Sequence, residues 1–170
     1  GGTLYELYQD YNRIPIRIED VPEVLKQATI AIEDKEFYTH QGFSTIGYIR
    51  GVLRFVTTGR AIGGSTLTQQ LVKNRLLTPE KTYVRKMKEM VLALWTEFMY
   101  DKKDILTLYL NEVGFGGPAY GIEAASQMYF GIPAKNLTLA QAAFLAGLPA
   151  APTTFSPFGA NPELATIRQQ

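Results

Sequence analysis

Signals that begin a helix recur along this 170-residue chain. Thr66 and Thr138 are each followed, three residues later, by a glutamine, and this spacing is typical of a capping box, in which the two residues bond reciprocally in the first turn. Further candidate caps are Asp20, with Glu23 three residues after it, Thr82 and Asp101. Apolar residues follow these positions at helical spacing. The sequence therefore predicts a mainly α domain, with a short hairpin as its expected strand pairing.

Three of the expected helices have a clear apolar side. The helix after Asp20 is expected to end at Glu33, and the segment from Ser44 to Gly59 combines apolar residues with two arginines, which favours binding to a membrane interface. The helix after Thr82 is expected to be long and to turn its apolar side toward the core. The residues of that side are Val84, Met87, Val91, Leu94, Trp95 and Phe98.

Composition limits the number of domains and the metal chemistry. Hydrophobic residues make up 46% of the chain and charged residues 19%, proportions that fit a globular protein rather than a disordered one. The chain is long enough for one core and too short for two ordinary domains. Because it has no cysteine and a single histidine, His40, its sequence excludes disulfides, thiolate metal sites and histidine clusters.

The net charge of +1 conceals a basic middle segment. No acidic residue lies between Glu36 and Glu80, and the cations in that interval are Arg50, Arg54, Arg60, Lys73 and Arg75. Anionic partners, either phosphates or an anionic lipid surface, are therefore expected. Nucleic acid fits poorly, because the cations alternate with aliphatic residues and no nucleic-acid motif is present. No run of about 18 apolar residues occurs, so any membrane anchor is expected outside this sequence.

Glu33 is the leading candidate for a catalytic acid or base, because it follows an apolar helical run. A buried ion pair would explain the same pattern. Asp34 is one position farther on, about 100° around a helix, so the two carboxylates are not expected to form a dyad. Asp34 and His40 are more simply explained as structural hydrogen-bonding residues.

A second polar group follows the pair Gly63 and Gly64. Thr66, Gln69 or Gln70, and Lys73 recur at a spacing of three and four, which places them along one ridge of a helix. The N-terminus of such a helix offers free N–H groups and a positive dipole end, both suited to a phosphate. A glycine turn before an ordinary amphipathic helix would explain the pattern equally well.

Arg85, Lys86 and Glu89 form a third charged group. Arg85 and Glu89 are four residues apart and are expected to face the same way on a helix. Taken alone, such a run is more typical of a solvated, salt-bridged helix face than of a binding site. It points to a functional site only when it is considered together with the first two groups and the order in which the three occur.

Five blocks in order carry a resemblance to a known family. They are EDKEFYTHQG, GGSTLTQQLVKN, RKMKE, KKDILTLYLNEV, and the region from GIEAASQMYFG to LTLAQAAFLAGLPAAP. The chain resembles the peptidoglycan glycosyltransferases (glycosyltransferase family 51), the domain of bifunctional penicillin-binding proteins and monofunctional transglycosylases that polymerises lipid II. The resemblance implies a lysozyme-like α domain with a large lobe and a small membrane-facing jaw at about 44–63.

The resemblance also implies roles for individual residues. Glu33 would be the general base that takes the proton from the 4-hydroxyl of the acceptor sugar, with Glu89 as a second, donor-side glutamate. Inversion at the donor anomeric carbon would give a β-1,4 bond, and Lys73, Arg85 and Lys86 would stabilise the departing undecaprenyl pyrophosphate. Other implied substrate-binding residues are Asp34, Ser65, Thr66, Gln69, Gln70 and Asn74.

Implied partners are lipid II, the growing lipid-linked glycan and the membrane surface, with a transpeptidase domain or partner and a location on the outer face of the bacterial cytoplasmic membrane. A divalent cation, Mg²⁺ or Mn²⁺, would be held mainly by the pyrophosphate, with no metal site built by the protein. The sequence departs from the family pattern at Ile62 and Gln141, where many members have glutamine and glutamate. Alternatives are a lysozyme-like muramidase with Glu33 as general acid, and a non-catalytic helical module that docks on a membrane.

Overall fold

The structure is a computed structural model, and it describes residues 12–45, 64–78 and 82–150 together with Ile49, Thr57, Glu80 and Pro152. The helices of the described residues are α1 (Glu23–Glu33), α2 (Leu67–Leu76), α3 (Tyr83–Met99), α4 (Lys102–Glu112), α5 (Ile122–Phe130) and α6 (Leu139–Gly147). Two 3₁₀ helices cover Ile18–Asp20 and Ala134–Asn136. The predicted mainly α class is confirmed.

Strand pairing in the described residues is small. β1 (Asn12–Arg13) pairs in parallel with β2 (Ala119–Tyr120), and an antiparallel bridge joins Gly114 to Tyr120. The expected hairpin is therefore reduced to this bridged turn, while the two-residue ladder joins distant parts of the chain.

The segment after β1 is fastened to α4 by a side chain. The Asn111 amide accepts from the Ile16 N–H at 2.8 Å and donates to the Ile16 carbonyl at 2.9 Å. One side chain thus replaces both backbone partners that a neighbouring strand would have supplied.

Most predicted helix starts are confirmed. Thr66 caps α2 and Thr138 caps α6 in complete capping boxes, and the side chains of Thr82 and Asp101 cap α3 and α4. The capping box predicted at Asp20 is wrong. Asp20 belongs to the preceding 3₁₀ helix and its carboxylate accepts from Arg17 at 3.2 Å, so α1 begins after Pro22 without a side-chain cap.

The core lies where α1 packs against α6 and where α2 packs against α3 and α4. Its largest fully buried side chains include Tyr109, Phe37, Phe115, Leu25, Leu67 and Ile105. α1 ends at Glu33, as predicted, so this residue stands where the chain leaves the core helix and turns toward α2.

The expected orientation of α3 is wrong. The predicted core side chains Val84, Met87, Val91, Leu94, Trp95 and Phe98 are all exposed. α3 instead turns Ala93 and Glu89 inward, and both are buried. Ala93 allows close packing, and the buried carboxylate is neutralised by neighbouring cations, so a polar and small-residue side can face the protein.

The predicted jaw lies outside the described residues, apart from Ser44, Thr45, Ile49 and Thr57. Its binding to a membrane interface therefore stays a prediction. Among the helices of the described residues, none combines the length and the apolar character needed to cross a bilayer.

Candidate active site

An open cleft lies between the end of α1 and the start of α2, with an empty volume of about 430 Å³. The turn that follows α1 forms one wall, and the residues that precede α2 form the other. Its lining residues are Ile32, Glu33, Asp34, Lys35, Glu36, Ser44, Gly64, Ser65 and Thr66. The first two sequence motifs therefore meet across one cleft, although about thirty residues separate them along the chain.

Glu33 is held by a residue of α2. The Gln70 side chain donates from Nε2 to Glu33 Oε2 at 2.9 Å. The buried Tyr109 donates its hydroxyl to Oε1 of the same amide at 3.3 Å. Because the Glu33 carboxylate only accepts, the amide turns its nitrogen to Glu33, and its oxygen then accepts from the tyrosine hydroxyl. Three helices thus determine the position of one carboxylate.

The side chain of Asp34 is only 4% exposed and bonds within the protein. Its Oδ2 accepts from the Leu67 N–H at 2.9 Å, at the first residue of α2, and from His40 Nε2 at 2.8 Å. His40 Nδ1 accepts from the Gly42 N–H at 3.0 Å, so in the neutral ring the proton is on Nε2. These contacts favour the structural interpretation of both residues, with Asp34 fastening the end of α1 to the start of α2.

A buried polar network continues behind His40, and sequence reasoning missed it. Glu97 accepts from Thr68 Oγ1 at 2.6 Å and from Lys102 Nζ at 2.6 Å, and Lys102 also donates to the His40 carbonyl at 2.7 Å. The network joins three helices to the turn after α1. The sequence spacing did contain a signal for this network, because Glu97 follows Ala93 by one helical turn and therefore lies on the same, inward side of α3.

Gly42 permits this turn to approach α3. Its φ is +81°, and an added Cβ would lie 2.9 Å from the backbone carbon and oxygen of Ala93. The Gly42 carbonyl accepts from Thr66 Oγ1 at 2.9 Å. A side chain at position 42 would therefore move the turn away from both α2 and α3.

Cations gather around Glu89, which is 1% exposed. Arg85 donates to Oε2 at 2.7 Å, Lys86 pairs with Oε1, and Lys86 also donates to Ser65 Oγ at 2.9 Å. Glu89 therefore uses both oxygens to hold cations. Because Arg85, Lys86 and nearby Lys73 share one buried carboxylate, the cluster keeps a net positive charge.

Lys73 is influenced by the charges of both this cluster and Glu33. Desolvation is the largest influence on its amine and lowers its pKa, and the charges of Arg85 and Lys86 lower it further, whereas Glu89 and Glu33 raise it. An anion bound here would favour the charged amine and offset the desolvation. The site therefore combines a carboxylate with a place for negative charge.

The predicted site residues divide into three sets. Those near the carboxylate or in the cation cluster are Glu33, Ser65, Gln70, Lys73, Arg85, Lys86 and Glu89. Those whose side chains bond within the protein are Asp34, Thr66 and Gln69, the last two in the capping box of α2. Asn74 is exposed on α2. Tyr109, His40, Glu97 and Lys102 complete the supporting shell.

The described residues of the site do not form a set of ligands for a divalent cation. Within the described ranges, no three or more His, Cys, Asp or Glu residues are grouped so that they could hold a metal ion. Glu89, the carboxylate nearest to the cation cluster, is already paired with Arg85 and Lys86.

Together, a mainly α domain, a carboxylate at a cleft and an adjoining cation cluster have the features that a class of proteins transferring sugars from anionic donors requires. The sequence model of the family described as Transglycosylase matches residues 1–170. The chain belongs to this transglycosylase family, and the resemblance found in its motifs is confirmed.

Relatives and a solved structure agree. The chain is 44% identical over 158 residues to penicillin-binding protein 1F of Bacillus subtilis (strain 168), covering 92% of this chain and 22% of the relative. It is 44% identical over 157 residues to penicillin-binding protein 1A of Escherichia coli (strain K12), covering 92% and 18%. The crystal structure of penicillin-binding protein 1A from Haemophilus influenzae matches with a TM-score of 0.53 at 26% identity, covering 94% of this chain and 14% of that one. The chain thus spans about a fifth of the length of these curated relatives.

Proposed function

We propose that this domain polymerises lipid II into β-1,4-linked glycan strands of peptidoglycan and releases undecaprenyl pyrophosphate. The observation that carries the proposal is that Glu33 and Ser65 line one cleft, while Ser65 accepts a hydrogen bond at 2.9 Å from Lys86 of the cation cluster. A base at one end and cations at the other match the two charge changes of this reaction, loss of a proton by the acceptor and gain of charge by the leaving group.

In the proposed step, Glu33 takes the proton from the 4-hydroxyl of the acceptor sugar. The oxygen forms a bond to the donor anomeric carbon while the bond from that carbon to the pyrophosphate oxygen breaks, with inversion. Gln70 supports this role because its N–H group fixes the direction of the carboxylate at 2.9 Å. A base that is already oriented needs no reorganisation when the acceptor arrives.

Lys73, Arg85 and Lys86 are proposed to receive the pyrophosphate. Charge on the leaving group grows as the bond breaks, and cations already in position stabilise that charge more in the transition state than in the ground state. Glu89 is proposed to act through them, because its oxygens hold Arg85 and Lys86 and its own exposure is 1%. It is therefore a positioning residue rather than a group that touches the sugar.

A divalent cation, Mg²⁺ or Mn²⁺, is proposed to bind mainly to pyrophosphate oxygens, since the described residues supply no cluster of ligands for it. The lipid-linked substrates place the domain at the outer face of the bacterial cytoplasmic membrane. A transpeptidase domain or partner would then cross-link the glycan product.

The test is incubation of the protein with lipid II in detergent, followed by gel separation of the products with and without muramidase. The proposal expects a ladder of glycans that muramidase removes, and no ladder from the Glu33→Gln variant. Shortening of preformed glycan without synthesis would instead indicate a hydrolase, for which the cation cluster has no use.

A further inference from the structure

The exposed side of α3 is unusually apolar. Eight of its large hydrophobic side chains are exposed, and they are Tyr83, Val84, Met87, Val91, Leu94, Trp95, Phe98 and Met99. Phe98 is 81% exposed, Trp95 63% and Val91 60%. Single exposed apolar residues are ordinary on a protein surface, whereas a continuous set on one helix marks a contact surface. These eight residues are called the α3 apolar face below.

The α3 apolar face has the form of a stripe. Its members recur at spacings of three and four through a helix of 17 residues, which is about 25 Å long. The opposite side of the helix packs inward through Glu89 and Ala93. α3 therefore has two different sides. The side with the cation cluster faces the protein, and the apolar stripe faces outward.

The charges on α3 indicate which kind of partner the α3 apolar face would bind. Both of its carboxylates are withdrawn from the surface, since Glu89 is 1% exposed and the Glu97 side chain 6%. Lys88 is exposed beside the stripe, and the Lys86 side chain is 45% exposed. An apolar stripe with cations and no exposed carboxylate complements an anionic lipid surface, and Tyr83 and Trp95 belong to the residue types that favour its headgroup region.

We propose that the α3 apolar face lies in the interfacial region of a bilayer that contains anionic lipid. This inference rests on the proposed function in one respect, because a lipid-linked pyrophosphate can reach Arg85 and Lys86 only if α3 lies near the membrane surface. It differs from the membrane contact predicted for the segment from Ser44 to Gly59, which lies largely outside the described residues.

Trp95 provides a direct test, since it is the only tryptophan of the chain. The protein is mixed with vesicles of phosphatidylglycerol and phosphatidylcholine, and the same vesicles are prepared with brominated acyl chains. We expect a blue shift of tryptophan emission and quenching by the brominated lipid, both weaker with phosphatidylcholine alone. Vesicle binding without quenching would mean that another surface binds lipid, and it would overturn the proposal.

A variant pair tests the energetic contribution. Val91→Ser combined with Phe98→Ser removes two large side chains from the stripe, and we expect vesicle partitioning to fall by at least about tenfold. Leu139→Ser is the matched control, because Leu139 is 66% exposed on α6, away from α3. An equal loss of vesicle partitioning in both variants would overturn the proposal. A blue shift that appears without vesicles and grows with protein concentration would also overturn it, because it would show that a second copy covers the stripe.

Failure of this inference can be told apart from failure of the proposed function. Polymerisation is measured in detergent, whereas quenching is measured on vesicles without substrate. Glu33→Gln should lose polymerisation and keep the quenching of Trp95. If polymerisation persists and quenching is absent, the membrane contact of α3 is wrong and the enzymatic proposal stands.

Discussion

Gln70 directs its amide nitrogen at Glu33, with 2.9 Å between Nε2 and Oε2. The two residues come from different motifs and different helices. Because the carboxylate only accepts, the amide has one orientation that satisfies both neighbours, with its nitrogen at Glu33 and its oxygen accepting from the Tyr109 hydroxyl. The proposed base is therefore held by a chain of two hydrogen bonds that begins in the core.

Tyr109→Phe tests this chain at its buried end. The variant keeps the ring and removes the hydroxyl, so the amide oxygen of Gln70 loses the hydrogen bond that holds it in place. We expect kcat for glycan synthesis to fall about tenfold with little change in KM, and the free energy of unfolding to fall by only about 1 kcal/mol. Loss of activity in proportion to loss of folded protein would contradict a positioning role. Gln70→Ala, which removes the amide itself, should lower kcat at least as much.

Glu33→Gln tests the base itself. Glutamine keeps the shape and the hydrogen-bonding capacity of the side chain and cannot accept the proton. We expect lipid II binding to survive and glycan synthesis to fall by about 10²- to 10⁴-fold. Thermal melting measured on the same samples should change little, because the residue lines the open cleft and glutamine has nearly the same size. A folded and fully active variant would end the proposed mechanism.

Asp34→Asn should affect stability more than chemistry. One oxygen of the carboxylate, Oδ2, accepts from both the Leu67 N–H and His40 Nε2, and an amide oxygen in its place keeps both bonds but lacks the negative charge that strengthens them. We expect the free energy of unfolding to fall by about 1 to 3 kcal/mol, measured by denaturant titration. Glu23→Gln is a suitable control, because the Glu23 side chain is 67% exposed. A variant of unchanged stability with abolished synthesis would instead place Asp34 in the chemistry.

The sequence predicted well those structural features that depend only on local contacts. Thr66 and Thr138 cap their helices because a capping box is complete within four residues and needs no tertiary partner. Asp20 instead belongs to a 3₁₀ helix and its carboxylate bonds to Arg17, and sequence spacing does not reveal which of the possible contacts is formed.

The side of α3 that faces the core depended on distant residues. Periodicity identifies an apolar stripe, but it does not state whether that stripe faces protein or another apolar surface. The inward side was decided by Ala93 against the Gly42 turn and by cations that neutralise Glu89. Tyr109 was missed for the same reason, since its contact with Gln70 spans 39 residues.

Lys73→Ala and Arg85→Ala should impair turnover more than folding. Each removes a positive charge proposed to meet the pyrophosphate as its bond breaks, and loss of one such contact costs about 2 to 4 kcal/mol in the transition state. Product formation and melting temperature are measured together. Arg85→Ala also releases one oxygen of the buried Glu89, so Glu89→Gln in the Arg85→Ala background should recover stability without recovering activity. Near-normal polymerisation by either single variant would remove it from the donor site.

The pH dependence of synthesis should reveal Lys73. Its pKa lies below the ordinary lysine value because the amine is desolvated and adjoins Arg85 and Lys86. As the pH rises, this amine therefore loses its proton before an exposed lysine does, and the cluster loses one charge that the pyrophosphate requires. We expect kcat/KM to decline on the alkaline side, and Lys73→Arg, whose guanidinium stays charged, to move that decline to higher pH even if its maximum is lower. Identical alkaline limbs in the two proteins would show that another group controls the decline and that Lys73 does not titrate in the free enzyme.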